Sequence, residues 1–277
     1  MQTHQTMAMK VVRILLLTMV AFIIPKLQAK TIILDFSTEN SVDLYGARTN
    51  AFNEAQYGFT TMSLTDVINN VMLAINNDFF GYSYASLPTG KELDIDFEVG
   101  SIGSGPINGD SDFLYFQLGS VISGETYFGH ACLGCALTSP PFENSGAVIG
   151  SIFTNNIANL AGLANDDAGL INLIAGTTSH EIGHALSLLH PSGKQLNPGE
   201  SAYGLMSTGA EPTIMPNGER VLDRAFANTN FDVLVNQLGL RDIPMTGTPV
   251  PEPSTLFLFL IAIIMISAKR KTTNNAH

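Results

Sequence analysis

A chain of 277 residues has room for one large domain or two small ones, and 45% apolar against 13% charged residues argues against a disordered tail protein. The net charge is −11. Between Thr31 and Val250 six basic residues stand against 23 acidic ones, 6 − 23 = −17, a poor balance for binding nucleic acid, whose phosphates need basic neutralisation. Two cysteines exclude a disulfide-dense miniature fold.

The first 29 residues read as a secretory signal. Lys10 and Arg13 precede Ile14 to Ile24, an apolar run broken only by Thr18, and Leu27-Gln28-Ala29 offers a small residue at the cleavage position. An uncleaved anchor is the other reading; either way the body leaves the cytoplasm. Thr31 to Phe36 is then expected as a first strand, and Asn40 to Thr61 as a long polar loop. Ser63 can cap a helix whose apolar residues Leu64, Val67, Ile68, Val71, Met72 and Ile75 recur at helical spacing, ending near Asn77. Leu93 to Val99 alternates strictly and predicts one half-buried strand. Further strands are expected at Phe113 to Leu118, Glu125 to Leu133 and Ala147 to Phe153, with Pro140 and Pro141 breaking the pattern between the last two.

Asp166 or Asp167 can cap a helix running through Leu170, Ile171, Leu173 and Ile174 to about Leu188. Within it stands His180-Glu181-Ile182-Gly183-His184. Side chains four apart on a helix lie about 40° apart around the axis and about 6 Å along it, so both imidazoles face one side. They can grip a zinc ion (Zn²⁺) at about 2.1 Å each. Glu181 beside them can take the proton of a metal-bound water. His190 follows His184 by six residues, which on a continued helix is the wrong face. The chain must therefore turn after about Ser187 for His190 to become a third ligand, leaving the fourth position open as catalysis requires. A Gly/Pro/Ser/Asn-rich loop to Gly218 and a last helix, Phe231 to Leu238 with Asn230 as cap and Gly239 as stop, complete the body.

The segment from His180 to His190 resembles the zinc-binding consensus of the metzincin peptidases, H-E-x-x-H-x-x-G-x-x-H, and Ala175-Gly176-Thr177-Thr178-Ser179 looks like the lead-in of bacterial members. The resemblance implies an α+β catalytic domain over residues 30–240. It would hold a twisted mixed sheet, an active-site helix, a C-terminal helix, and an antiparallel edge strand from the Glu125 to Phe153 region that pairs with extended substrate. It also implies a Met-turn beneath the metal. Met206, between Gly204 and Gly209, is the better candidate and Met215 the rival. One residue departs from the family: Ser187 stands where Gly normally permits the turn to the third histidine, and a left-handed Ser costs about 1 kcal/mol or more.

Cys132-Leu133-Gly134-Cys135 reads most simply as a local disulfide in an oxidising compartment. A redox motif, a metal site with His130 and a thiolate that blocks the zinc remain open. Asp94 with Asp96 and Asp110 with Asp112 match no calcium loop and read as solvated carboxylates.

After a linker at 241–249 the chain reads Pro251-Glu252-Pro253, an uncharged run Leu256 to Ser267, and Lys269-Arg270-Lys271. This resembles the PEP-CTERM sorting signal of Gram-negative bacteria over residues 250–271, ahead of a tail at 272–277. It implies an exosortase-type processing enzyme as partner, a transient membrane segment, and delivery to the cell surface, matrix or medium. The combined expectation is an exported zinc metalloendopeptidase acting on peptides or proteins. Its rival is a non-catalytic, zinc-stabilised surface or exopolysaccharide-matrix protein, and a zinc hydrolase of a non-peptide bond is a third reading.

Overall fold

A computed structural model describes residues 30–39, 41–109, 111–136, 146–210 and 213–243. The expected signal (1–29), the Pro140-Pro141 break and the sorting segment (250–271) lie outside them. The chain divides into a unit of residues 1–241 and a second of 242–277, of which only Asp242 and Ile243 are described. No helix among the described residues is long and apolar enough to cross a membrane.

The fold is α+β. Strand β1 (Lys30–Asp35) is buried along its whole length and lies between two parallel neighbours, as its unbroken β-branched and aliphatic run requires. The expected loop after it contains a short antiparallel pair, β2 (Ser41–Val42) and β3 (Arg48–Ala51). Helix α1 (Leu64–Phe80) opens on the predicted Ser63 in a full capping box with Asp66 and runs one turn past Asn77.

The strand expected at Leu93 to Val99 is two strands. β4 (Lys91–Leu93) and β5 (Ile95–Val99) part at Asp94, because β4 pairs with β9 (Leu240–Asp242) while β5 joins β1. Alternation alone carries no signal for a change of sheet. Arg241 fastens the junction, its Nε donating to Glu92 at 2.8 Å and its Nη2 to Asp96 at 2.6 Å. The expected linker therefore begins inside a strand. The solvated-carboxylate reading also fails in part: Asp94 and Asp112 are buried and Asp96 is paired, while Asp110 lies outside the described residues.

Strand β6 (Phe113–Val121) is the longest. β1 and β8 (Val148–Phe153) lie parallel to it, and β3 pairs antiparallel with its last residues. β7 (Gly129–Ala131), the only part of Glu125 to Leu133 that is strand, runs antiparallel to β8 and forms the sheet's edge. A short helix α2 (Thr154–Ala158), unsignalled in the sequence, leads to α3 (Asp167–Ala185), and α4 (Asn228–Leu238) follows, starting two residues before the expected Asn230 cap. The main core lies where α1 and α3 cover one face of the sheet: Val67, Val71, Ile75 and Phe79 meet Ile174 and Ile182 above Ile32, Leu34, Phe116 and Ile152. A smaller cluster of Ile33, Tyr115 and Val148 includes the residues that alternate with these.

Candidate metal centre and cleft

Helix α3 begins at Asp166, whose carboxylate accepts the Gly169 amide at 2.9 Å. Its C-terminus closes in a Schellman motif: the Leu188 amide donates to Gly183 O and the Ser187 amide to His184 O, both at 2.9 Å. Ser187 takes the left-handed conformation, φ +66°, that the expected turn demands. The turn expected after Ser187 thus comes slightly earlier, at Leu186 and Ser187. Two more amides satisfy the helix end, Gly134 to His184 O at 2.9 Å and Ala136 to Ala185 O at 3.1 Å. They come from the Cys132–Cys135 loop, which is closed by a disulfide. The paired sulfurs accord with the local disulfide and leave no thiolate for the histidines. His130 turns elsewhere, against the buried Asp43, which also accepts from Ser151.

The turn brings His190 back to the helix. The Nε2 atoms of His180, His184 and His190 stand 2.8–3.1 Å from one another. His180 Nδ1 lies 2.7 Å from Leu205 O, and His184 Nδ1 lies 2.8 Å from Leu188 O. A carbonyl only accepts, so both rings carry their proton on Nδ1 and aim a bare Nε2 lone pair inward. Burial first, then the neighbouring His184 ring, holds His180 well below the ordinary imidazole range, and burial lowers His184 as well. At most one of the three contacts can be a hydrogen bond, donated by His190. The bare lone pairs of His180 and His184 converge on His190 Nε2 and suit a shared Lewis acid, and neutral imidazoles oriented by backbone carbonyls are what a metal ion requires. This group could hold a metal ion, and among the described residues it has three members and no fourth.

Met206 lies beneath the helix. It is fully buried in the turn closed by Ser207 N to Gly204 O, and a Cβ on Gly183 would stand 2.5 Å from its sulfur. Only glycine permits this approach. The rival Met215 is also buried, but its sulfur faces Arg224, 3.7 Å from Nη1.

The histidines open on a cavity of about 500 Å³. One wall is the edge-strand segment Thr126 to Ala131 and the other is formed by Thr208 to Ala210, Asn217 and Arg220. Glu181 lines it between them. Gly129 of β7 crosses so close to Glu181 that a Cβ there would stand 3.0 Å from Cγ and 3.2 Å from Oε1. Burial pushes the Glu181 carboxyl up to about 8, and the Arg220 charge opposes that rise.

Sequence reasoning placed His180, Glu181, His184, His190 and Met206, and the structure brings them together. It missed Arg220, the positioning carbonyls of Leu188 and Leu205, and the amides of the disulfide loop. Backbone groups leave no residue signature. Arg220 had one: it is among only six cations in the acidic body. No protein-family model matches this chain, and no curated protein matches it significantly.

Proposed function

We propose that this protein is an exported, zinc-dependent endopeptidase of metzincin type. The observation that carries the reading is the convergence of three Nε2 atoms, those of His180 and His184 bare, beside a cavity-facing glutamate that accepts no hydrogen bond from any described residue. A divalent cation held by His180, His184 and His190 would supply Lewis acidity to a carbonyl oxygen and acidify water at neutral pH.

The chain's own residues then divide the work. Burial keeps His180 and His184 neutral, and Leu205 O and Leu188 O hold their protons on Nδ1. Glu181 receives a proton from the attacking water and carries it to the leaving nitrogen, for which a desolvated carboxylate with no competing donor is suited. β7 offers its outer edge, the one not paired with β8, to an extended peptide, whose main chain would add as a further strand. Met206 supports the helix and touches no substrate. In the same reading the termini act as addresses: a signal over residues 1–29, and a sorting segment over 250–271 handled by an exosortase-type enzyme.

Against the non-catalytic surface protein stand two observations. Ser187 adopts the turn that a true ligand at His190 needs, and no fourth protein ligand closes the group among the described residues. The test is paired. The parent should bind one zinc and cleave a mixed peptide library; Glu181→Ala should bind one zinc and lose about 10²–10⁴-fold in kcat/KM. Equal cleavage by both, or none by either with zinc bound, defeats the proposal.

A further inference from the structure

Among the described residues Arg220 is the one Lys or Arg on the cavity wall, and its surroundings are specific. It sits in the 3-10 turn Asn217–Val221. Its neighbours are fastened: Ser201 donates to Glu219 at 2.6 Å, and Asn172 of α3 donates to Val221 O at 3.2 Å. Phe128 lies beneath the guanidinium, 4.9 Å from the ring centre, and so constrains it from one side. Gly209 lies beside the fork; a Cβ there would stand 3.5 Å from Nη2.

Arg220 is only 9% exposed, and its Nε has no hydrogen-bond partner. Among the described residues the guanidinium makes no hydrogen bond and no ion pair. Glu181 lines the same cavity and makes no contact with the guanidinium. A buried cation with unpaired donors is costly, and a ligand that pairs with them on the cavity wall offsets part of that cost. The planar fork of arginine matches a carboxylate in two parallel bonds.

We propose that Arg220 is the specificity-determining residue of the cleft and takes a carboxylate of the substrate, either an Asp or Glu side chain or a free C-terminus. The inference rests on the peptidase reading. It also gives the cleft a preference opposite to that of the acidic body. The body's long-range field draws basic chains, whereas the cleft selects a single acidic group.

The test uses the full-length, zinc-loaded chain and N-acetylated alanine-based octapeptides. One position at a time carries Glu or Gln, and each peptide ends as free acid or amide. At one position, or at the C-terminus alone, the carboxylate peptide should show kcat/KM at least about tenfold above its amide twin. An internal position identifies a side chain, and the terminus identifies the C-terminal group. In Arg220→Gln that ratio should fall to about one, and in Arg220→Lys, which keeps the charge but not the fork, to an intermediate value. The Lys variant carries the test if the Gln variant fails to fold. A parent with no carboxylate preference anywhere overturns the inference, as does an equal loss for both twins in the variants.

If the parent cleaves no peptide, the peptidase reading fails by itself. Arg220 is then judged by calorimetric binding of the same peptides to the zinc-loaded Glu181→Ala chain. Tighter binding of the Glu peptide by about tenfold, lost in Glu181→Ala/Arg220→Gln, supports the inference, and equal binding overturns it.

Discussion

Helices α1 and α3 pack against each other in one core, yet they are built by different rules. α1 buries five of its seventeen residues along one stripe, whereas α3 buries fourteen of nineteen. An amphipathic helix needs one good face. A helix embedded on nearly every side must satisfy each polar group it carries, and α3 largely does. Thr177 and Thr178 donate to Leu173 O and Ile174 O at 2.9 Å, and Ser179 donates to the buried Asp78 of α1 at 2.6 Å. Glu181 is the exception, a buried acid with no hydrogen-bond donor among the described residues. The difference teaches where to look for function: in a helix that pairs its interior polar groups, the one left open to a cavity is the working group.

The comparison breaks most sharply under substitution of one residue in each helix. His184→Ala in α3 should weaken zinc binding by more than the roughly 10–100-fold that loss of an outer partner costs. Its melting temperature should then no longer respond to chelator, whereas the parent's should fall when zinc is withdrawn. Phe79→Ala in α1 should cost about 3–5 kcal/mol in denaturant unfolding, because a fully buried ring leaves a cavity, while the folded fraction still binds one zinc. If Phe79→Ala loses zinc from the folded protein, the division of labour between the helices is wrong.

A smaller effect is expected at the end of α3. Ser187→Gly removes a left-handed cost of about 1–2 kcal/mol and adds about 0.5–1 kcal/mol of backbone entropy. Stability should rise by up to about 1.5 kcal/mol, with zinc affinity unchanged. A loss would show that packing of the Ser187 hydroxyl against Gly134 matters more than the strain.

The smallest effect concerns what the helices share. Asp66 in α1 is held below the usual carboxylate range, first by the Ser63 hydroxyl and then by the Ser63 amide. Asp167 in α3 is held down first by the Thr61 hydroxyl, then by the Thr60 amide. A folded pKa below the unfolded one, about 3.9, contributes stability above that pH, and this is lost as pH falls through the folded value. Unfolding free energy should therefore decline below about pH 4. Asp66→Asn and Asp167→Asn should each flatten the slope, and salt should shrink the difference because both sites are exposed.

The two helices also show how much the sequence discloses. The apolar spacing of α1 and its Ser63 cap gave its start to the residue. The periodicity of α3 says little, since most of its faces are buried, but Asp166 and the His-Glu-x-x-His spacing located it. Ser187 looked like an obstacle and is the turn itself. The break at Asp94 was hidden because β9, the partner that diverts β4, lies about 150 residues away in sequence. Arg220 was hidden for the same reason, since a short turn far along the chain carries it to the cleft wall. Local pattern discloses local structure and chemistry with fixed spacing, and tertiary pairing decides the rest.

The central claim is that three histidines hold one metal ion through Nε2 and leave its remaining position open. X-ray absorption at the zinc edge on the zinc-loaded, full-length protein tests it directly. The account predicts three imidazole nitrogens and one light oxygen scatterer near 2.0–2.1 Å, with one zinc per chain, and the loss of one imidazole in His190→Ala. A sulfur scatterer near 2.3 Å, a fourth protein ligand, or an unchanged spectrum in His190→Ala would contradict it.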